Sequence, residues 1–395
     1  MVKGLRIGSI LGVEVALDWS LMIIFVLIML SLGAGLFPTW HPHWSAALVW
    51  LVAAVAAVLL IVSILVHELS HALVGRAQGV EIRRITLFVF GGMAQLEREP
   101  HTWRAEFWMA LVGPVVSLAI GAACLVVGSA LAGDVVIDPN DPTPALTQIG
   151  PLATVLLWLG PINLILALFN LVPAFPLDGG RMLRAVLWGV TGDVYHATRW
   201  AAALGRGFGI ALIAAGAAMF VGIPVPLFGA GVIGGLWLAL IGGFLHNAAK
   251  MSYQQLLARR SLERVPVSRV MLADVTTVEP HTSVATLIDD YLIAHDQRNF
   301  PVVRDGQLVG LAGLGEVRKL APAARAGTTV ADIMIPIGDL PTIEPDRAAA
   351  EALETISRRG VELLPVVDNG RVRGLVRRED IMKWLALRGD EEVIV

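Results

Sequence analysis

Three residues in one short stretch, His67, Glu68 and His71, have the types and spacing of a metal-assisted hydrolase. They interrupt the apolar run that extends from Ile61 to Gly75. If this run is helical, positions four apart share a face, so both imidazoles turn to the same side and can grip one metal ion. In such an HExxH arrangement two neutral imidazole nitrogens bind zinc, and the carboxylate beside the first His takes a proton from the attacking water. The apolar surroundings sharpen the reading. An isolated ionisable group in a bilayer costs roughly 2.5 kcal/mol or more, so a Glu within a spanning segment is by default a functional group.

A catalytic zinc takes three protein ligands and keeps one position open, so a third ligand must come from elsewhere in the chain. The next candidate is Asp178, in Asn170-Leu-Val-Pro-Ala-Phe-Pro-Leu-Asp-Gly-Gly-Arg181. Two prolines and a Gly pair break helical geometry there, and irregular backbone at membrane depth must face protein or a wet cavity. Asp178 is thus presented from a rigid turn.

The elements that must position these groups are membrane spans. Of the 395 residues 56% are hydrophobic, and the mean hydropathy is +0.70, far above that of an ordinary soluble protein. Apolar stretches of spanning length lie at about 19–37, 46–75, 106–132, 151–172, 201–221 and 229–248, which predicts six spans. Ahead of them, residues 5–17 alternate loosely and suit a short strand or hairpin at the membrane surface. The first long apolar run exceeds a signal-peptide core, so no cleavable signal is expected. The single Cys124 excludes an intramolecular disulfide framework.

Charge divides the chain near Lys250: residues 1–249 hold 11 Lys+Arg and 12 Asp+Glu, against 19 and 21 in residues 250–395. Neither part has the basic excess that would suggest nucleic acid. Within the apolar part, Lys and Arg fall before the first span, between the second and third, and between the fourth and fifth; the other loops have none. Basic loops face the cytoplasm, so both termini are expected there, as are residues near Glu97, Arg181 and the whole chain after Lys250. Residues near Asp141 and Ile223 are expected outside. His67, His71 and Asp178 then lie at one depth, near the cytoplasmic face.

His67-Glu-Leu-Ser-His71 in an early span, followed about a hundred residues later by Asn170-xx-Pro-xx-Pro-Leu-Asp-Gly-Gly, resembles the site-2 protease family of intramembrane zinc metalloproteases. The resemblance covers roughly residues 1–250. It implies His67, His71 and Asp178 as ligands of one zinc ion, Glu68 as general base, and Asn170 as a helper at the scissile carbonyl. Gly113-Pro-Val-Val-Ser117 resembles a small-residue motif of the family, whose plain reading is close helix packing. The β-branched stretch Glu81–Glu97, with its Gly-Gly turn, reads as a hairpin. In the family a similar element lies near the active site and pairs with an extended substrate, which implies substrate contacts at Phe90, Gly91 and Gly92. The implied substrates are membrane proteins cut in or near a transmembrane segment, anti-sigma factors being one example, with the lipid bilayer as setting.

The polar remainder carries an internal repeat with an offset of about 63 residues, including Phe300-Pro-Val-Val303 with Asp305-Gly306 and Leu364-Pro-Val-Val367 with Asn369-Gly370. Two α/β units with Asp-Gly and Asn-Gly hairpins are predicted. They resemble tandem cystathionine-β-synthase (CBS) domains, which implies an adenine nucleotide as ligand and a homodimer as assembly. The family's hydroxyl and Asp positions are Gly313 and Glu316 in the first copy, and Arg377 and Asp380 in the second, leaving Asp380 as the candidate ribose contact. A docking or dimerisation module is the alternative.

The expected architecture is therefore a polytopic α-helical membrane domain over 1–250, with about six spans and a short β-element near the active site. A linker over 251–264 and a soluble α/β CBS pair over 265–325 and 326–390 follow it. The expected function is intramembrane zinc-dependent proteolysis in the cell membrane, with the CBS pair regulating it. A CBS-regulated transporter or a catalytically silent scaffold are the alternatives. His41 and His43, beside Trp40 and Trp44, read as part of an interfacial aromatic belt.

Overall fold

A computed structural model describes residues 5–80, 82–89, 91–96, 100–133, 146–226 and 229–388. Phe90, Glu97 and Asp141 lie outside the described residues. The chain divides into two compact units, Met1–Tyr253 and Gln254–Val395.

The first unit opens with β1 (Leu5–Ile10) and β2 (Val13–Leu17). The helices α1 (Ser20–Trp40) and α2 (Ala46–Ala77) follow, both long and apolar enough to cross a membrane. Next come β3 (Ile82–Phe88) and β4 (Gly91–Leu96), then α3 (Trp103–Ala132) and α4 (Pro151–Asn170), again of spanning length. The short amphipathic helix α5 (Asp178–Thr191) precedes the last two spanning helices, α6 (Val194–Phe220) and α7 (Val232–Glu263). All six expected spans are thus present. In each, only 22–39% of the most apolar window is buried inside the protein, so most of its apolar side chains are left for lipid.

Local chemistry sets the helix ends. The Ser45 hydroxyl accepts the Leu48 N–H at 3.3 Å to start α2, and the Thr102 hydroxyl accepts the Ala105 N–H at 3.2 Å to start α3. Asp193 accepts from the amides of Tyr195 and His196, which starts α6 seven residues before the apolar run expected from 201. At the other end α7 runs to Glu263, well past the hydropathic limit near 248, because loss of hydropathy marks the edge of the lipid and not the end of a helix.

The two β-segments expected separately join in one four-stranded sheet of order β1-β2-β3-β4. β1 and β2 are antiparallel, as are β3 and β4, but β2 and β3 are parallel, with α1 and α2 as the crossover between them. Glu14 pairs across from Arg84 and bonds its guanidinium at 3.0 Å. The inner face of the sheet buries Val13, Ile85 and Leu87 with Ala72 of α2 and Met109 of α3, seating the sheet on the helix that carries His67 and His71.

In the second unit β5 (Asn299–Arg304) and β6 (Gln307–Gly313) form one hairpin, extended by the short β7 (Ile335–Pro336). The helix α8 (Ala349–Arg359) precedes the second hairpin, β8 (Leu363–Asp368) and β9 (Arg371–Arg377), and α9 (Arg378–Arg388) closes the unit. The turn residues Asp305-Gly306 and Asn369-Gly370 all have positive φ, 51° and 78°, then 50° and 78°, as two-residue hairpins demand. The cores, however, do not follow the sequence repeat. Val330 at the start of the second copy is buried with Val278, Phe300 and Val302 of the first. Val267 and Val270 at the start of the first are buried with Ile343, Leu364 and Val376 of the second. The amides of Val267 and Ser268 bond Arg347 and Pro345, and those of Val330 and Ala331 bond Thr282 and Pro280. Each copy is completed by the opening segment of the other.

Candidate metal centre

His67 and His71 lie one turn apart on α2, both buried, and their Nε2 atoms are 3.1 Å from each other. Asp178, the first residue of α5, brings Oδ2 to 3.2 Å from each Nε2. Among the described residues this is the one group of three or more His, Cys, Asp or Glu side chains close enough to hold a metal ion.

The outer nitrogens show what the inner atoms are. His71 Nδ1 lies 2.6 Å from the carbonyl oxygen of Met109, which can only accept, so the imidazole donates there and Nε2 is left with a lone pair. His67 Nδ1 is 2.9 Å from Ser117 Oγ, and the same assignment makes the hydroxyl the acceptor. Three electron-rich atoms then face one another without a proton between them, an arrangement that a cation stabilises. Zinc with tetrahedral N and O ligands at about 2.0–2.1 Å requires ligand–ligand separations of roughly 3.3 Å. The observed triangle of 3.1, 3.2 and 3.2 Å fits it. Imidazoles fixed through their second nitrogen are the usual support for such a site.

A close approach of α3 makes this possible. A Cβ at Gly113 would run into Nε2 of His71 and stand 2.8 Å from Cε1 of His67, so only glycine lets the α3 backbone lie against both rings. Close packing, the plain reading of Gly113 to Ser117, describes Gly113, and Ser117 in addition lies within hydrogen-bond distance of His67. Met109 was not singled out by sequence, because a backbone carbonyl leaves no side-chain signal.

Glu68, next to His67 in α2, does not join the triangle. Gly92 lies directly against it, since a Cβ at Gly92 would collide with the Glu68 side chain. β4 therefore crosses directly over the carboxylate, and Gly91 opens that strand with φ of 128°. β4 pairs with β3 on one side and ends the sheet on the other. Asn170, the last residue of α4, is half-buried, and among the described residues its amide makes no hydrogen bond. His41 is buried: it stacks on Trp44 at 3.7 Å between ring centres and lies 2.8 Å from Thr154 Oγ1. Burial, and then His43, lower its pKa to about 4.

In the second unit Asp380 is already engaged. Arg377 donates to it from Nε at 2.9 Å, from Nη2 at 2.8 Å and from its own amide at 3.1 Å. The same bonds raise the Arg377 pKa.

The family model described as peptidase family M50 matches residues 55–141 and 130–216, and the CBS domain model matches 267–322 and 330–387. The candidate zinc metalloprotease Rip3 of Mycobacterium tuberculosis (strain H37Rv) is 36% identical over 397 residues, covering 98% of this chain and 93% of its own. The candidate zinc metalloprotease sll0528 of Synechocystis sp. (strain PCC 6803) is 32% identical, with 98% and 96% covered. Among solved structures, the site-2 protease from Methanocaldococcus jannaschii is similar at 26% identity, over 63% of this chain and 94% of that one, with a TM-score of 0.39.

Proposed function

This chain belongs to peptidase family M50 and is a multi-pass membrane zinc metalloprotease with a CBS pair, and we propose the roles of its residues as follows. His67, His71 and Asp178 hold one zinc ion, which when bound supplies Lewis acidity to the attacking water and the scissile carbonyl. The observation that carries this assignment is the convergence of three lone-pair atoms, with the neighbouring Glu68 outside the group.

Glu68 takes a proton from the attacking water as its oxygen bonds to the carbonyl carbon. It then delivers that proton to the amide nitrogen as the C–N bond breaks. Gly92, packed against the Glu68 side chain, keeps it in place for both transfers. The free edge of β4, with Gly91 and Gly92, binds the substrate as an added strand, which exposes its peptide bonds beside Glu68, and Phe90, next in sequence before Gly91, is a further substrate contact. Asn170 has two N–H donors for the developing oxyanion.

The substrates are membrane proteins cut in or near a transmembrane segment, with anti-sigma factors as one example. The distribution of Lys and Arg supports cytoplasmic termini, a cytoplasmic CBS pair and cleavage near the cytoplasmic face. The boundaries proposed for the parts are 1–250 for the protease, 251–264 for the linker, and 265–325 and 326–390 for the two CBS copies. The CBS pair regulates access through an adenine nucleotide or through homodimerisation. For a ribose to reach Asp380, the bonds to Arg377 must open.

Purified full-length protein should contain zinc in a one-to-one ratio and cleave a reporter single-span substrate. A chelator should abolish cleavage and added zinc restore it. Metal-free protein with full cleavage would overturn the reading.

A further inference from the structure

Outside the metal triangle, a buried ion pair joins α3 to α5. Glu106, in the first turn of α3, is fully buried, and Arg184 of α5 is 6% exposed. Arg184 donates to Glu106 Oε1 from Nε at 2.6 Å and also from Nη2, while Arg181 Nε stands 4.0 Å from the same oxygen. The Arg184 guanidinium carbon also lies 5.3 Å from the ring centre of Phe175, in the turn that leads into Asp178. The guanidinium is thus gripped by α3 on one side and rests on the Asp178 turn on the other.

The placement of Glu106 gives the pair its meaning. Glu106, Met109, Gly113 and Ser117 follow one another at intervals of three, four and four, so they line a single face of α3. Met109 and Ser117 hold the two imidazoles, and Gly113 lets them approach. Glu106 holds the helix that begins with Asp178. His67 and His71 come from one element and Asp178 from another, 111 residues away from His67. α3 thus bonds both imidazoles and the helix that begins with Asp178.

We propose that Glu106 and Arg184 are positioning residues that set Asp178 against His67 and His71 for metal binding. The inference rests on the zinc reading above. Simple stabilisation explains the pair poorly, since among the described residues Glu106 Oε2 is buried without a hydrogen-bond partner, and a buried pair is often replaceable by apolar residues of similar volume without loss of stability.

That replacement is the test. In full-length protein, Glu106→Met/Arg184→Met should keep the thermal midpoint of the metal-free wild type. Its zinc dissociation constant should rise by about 10- to 100-fold, as for other residues that orient metal ligands. The visible spectrum of the cobalt(II)-loaded protein, which reports ligand geometry, should change. In an Asp178→Ala background the same replacement should have no further effect on zinc affinity, because the ligand it positions is gone. Arg184→Lys, which keeps the charge but loses the fork, should fall between wild type and the double variant.

Wild-type zinc affinity and an unchanged cobalt spectrum in the double variant would overturn the proposal while leaving the zinc reading intact. So would a loss of affinity that persists in the Asp178→Ala background, or one that accompanies a lower thermal midpoint, since either marks a general prop. A wild type that binds neither zinc nor cobalt would instead remove the reading on which the proposal rests.

Discussion

Ser117 Oγ lies 2.9 Å from Nδ1 of His67, fifty residues earlier in the chain, and both groups are buried. Ser117→Ala leaves a buried imidazole N–H without an acceptor, at a cost of about 1–3 kcal/mol. The ring is then free to turn. Zinc affinity should fall by about 10- to 100-fold, measured by competition with a chelator of known affinity.

Glu68→Gln should retain zinc and lose cleavage. The amide cannot accept the water proton, and general-base contributions are typically about 10²–10⁴-fold. Metal content and single-turnover cleavage of the same preparation check both halves. Loss of zinc along with activity would make Glu68 a ligand.

Asp178→Ala and Asn170→Ala should separate. The first removes one corner of the triangle and should sharply reduce zinc affinity. The second should keep zinc and slow turnover by about 2.7 to 4 kcal/mol, the usual value of an oxyanion donor. Full activity in Asn170→Ala would take Asn170 out of the mechanism.

Topology is open to single-cysteine labelling in intact cells, with Cys124→Ala as background. A cysteine at the exposed Ile223 should react with an impermeant reagent, and one at the exposed Gln78, just past α2, should not. The reverse pattern would place the metal centre near the outer face.

Arg377→Ala frees the Asp380 carboxylate, so AMP or ATP should bind the variant more tightly than the wild type. A hydrogen bond to a charged group is worth about 1.5 kcal/mol or more, which predicts a gain of at least tenfold by calorimetry. Absence of heat in both proteins would favour a docking role for the CBS pair.

Sequence legibility followed distance along the chain. His67, Glu68 and His71 could be read together because their geometry is fixed by one helix, and Asp178 because its turn has an unusual composition. The six spans were visible because lipid demands long apolar runs. The support of the site was not, since each contact pairs residues far apart: Ser117 with His67, Met109 with His71, Glu106 with Arg184. Glu106 carried no signal of its own, because it stands at the edge of the apolar run. Its partner could not be named, because Arg184 belongs to a helix too short to read as a span. The parallel join of β2 to β3 was hidden for a similar reason, with two whole spans lying between the strands.

The exchange of opening segments between the CBS copies has a consequence for synthesis. The chain leaves the ribosome from its N-terminus, so the first α/β unit cannot complete its core until Val330 has emerged, some way into the second copy. Val267 and Val270 are made early but find their partners only when Ile343, Leu364 and Val376 arrive. Until then they are apolar side chains without cover, the condition in which nascent chains recruit chaperones or aggregate. The first core can close once Val330 has emerged, whereas Val267 and Val270 must wait for nearly the whole second copy, so the pair closes in that order.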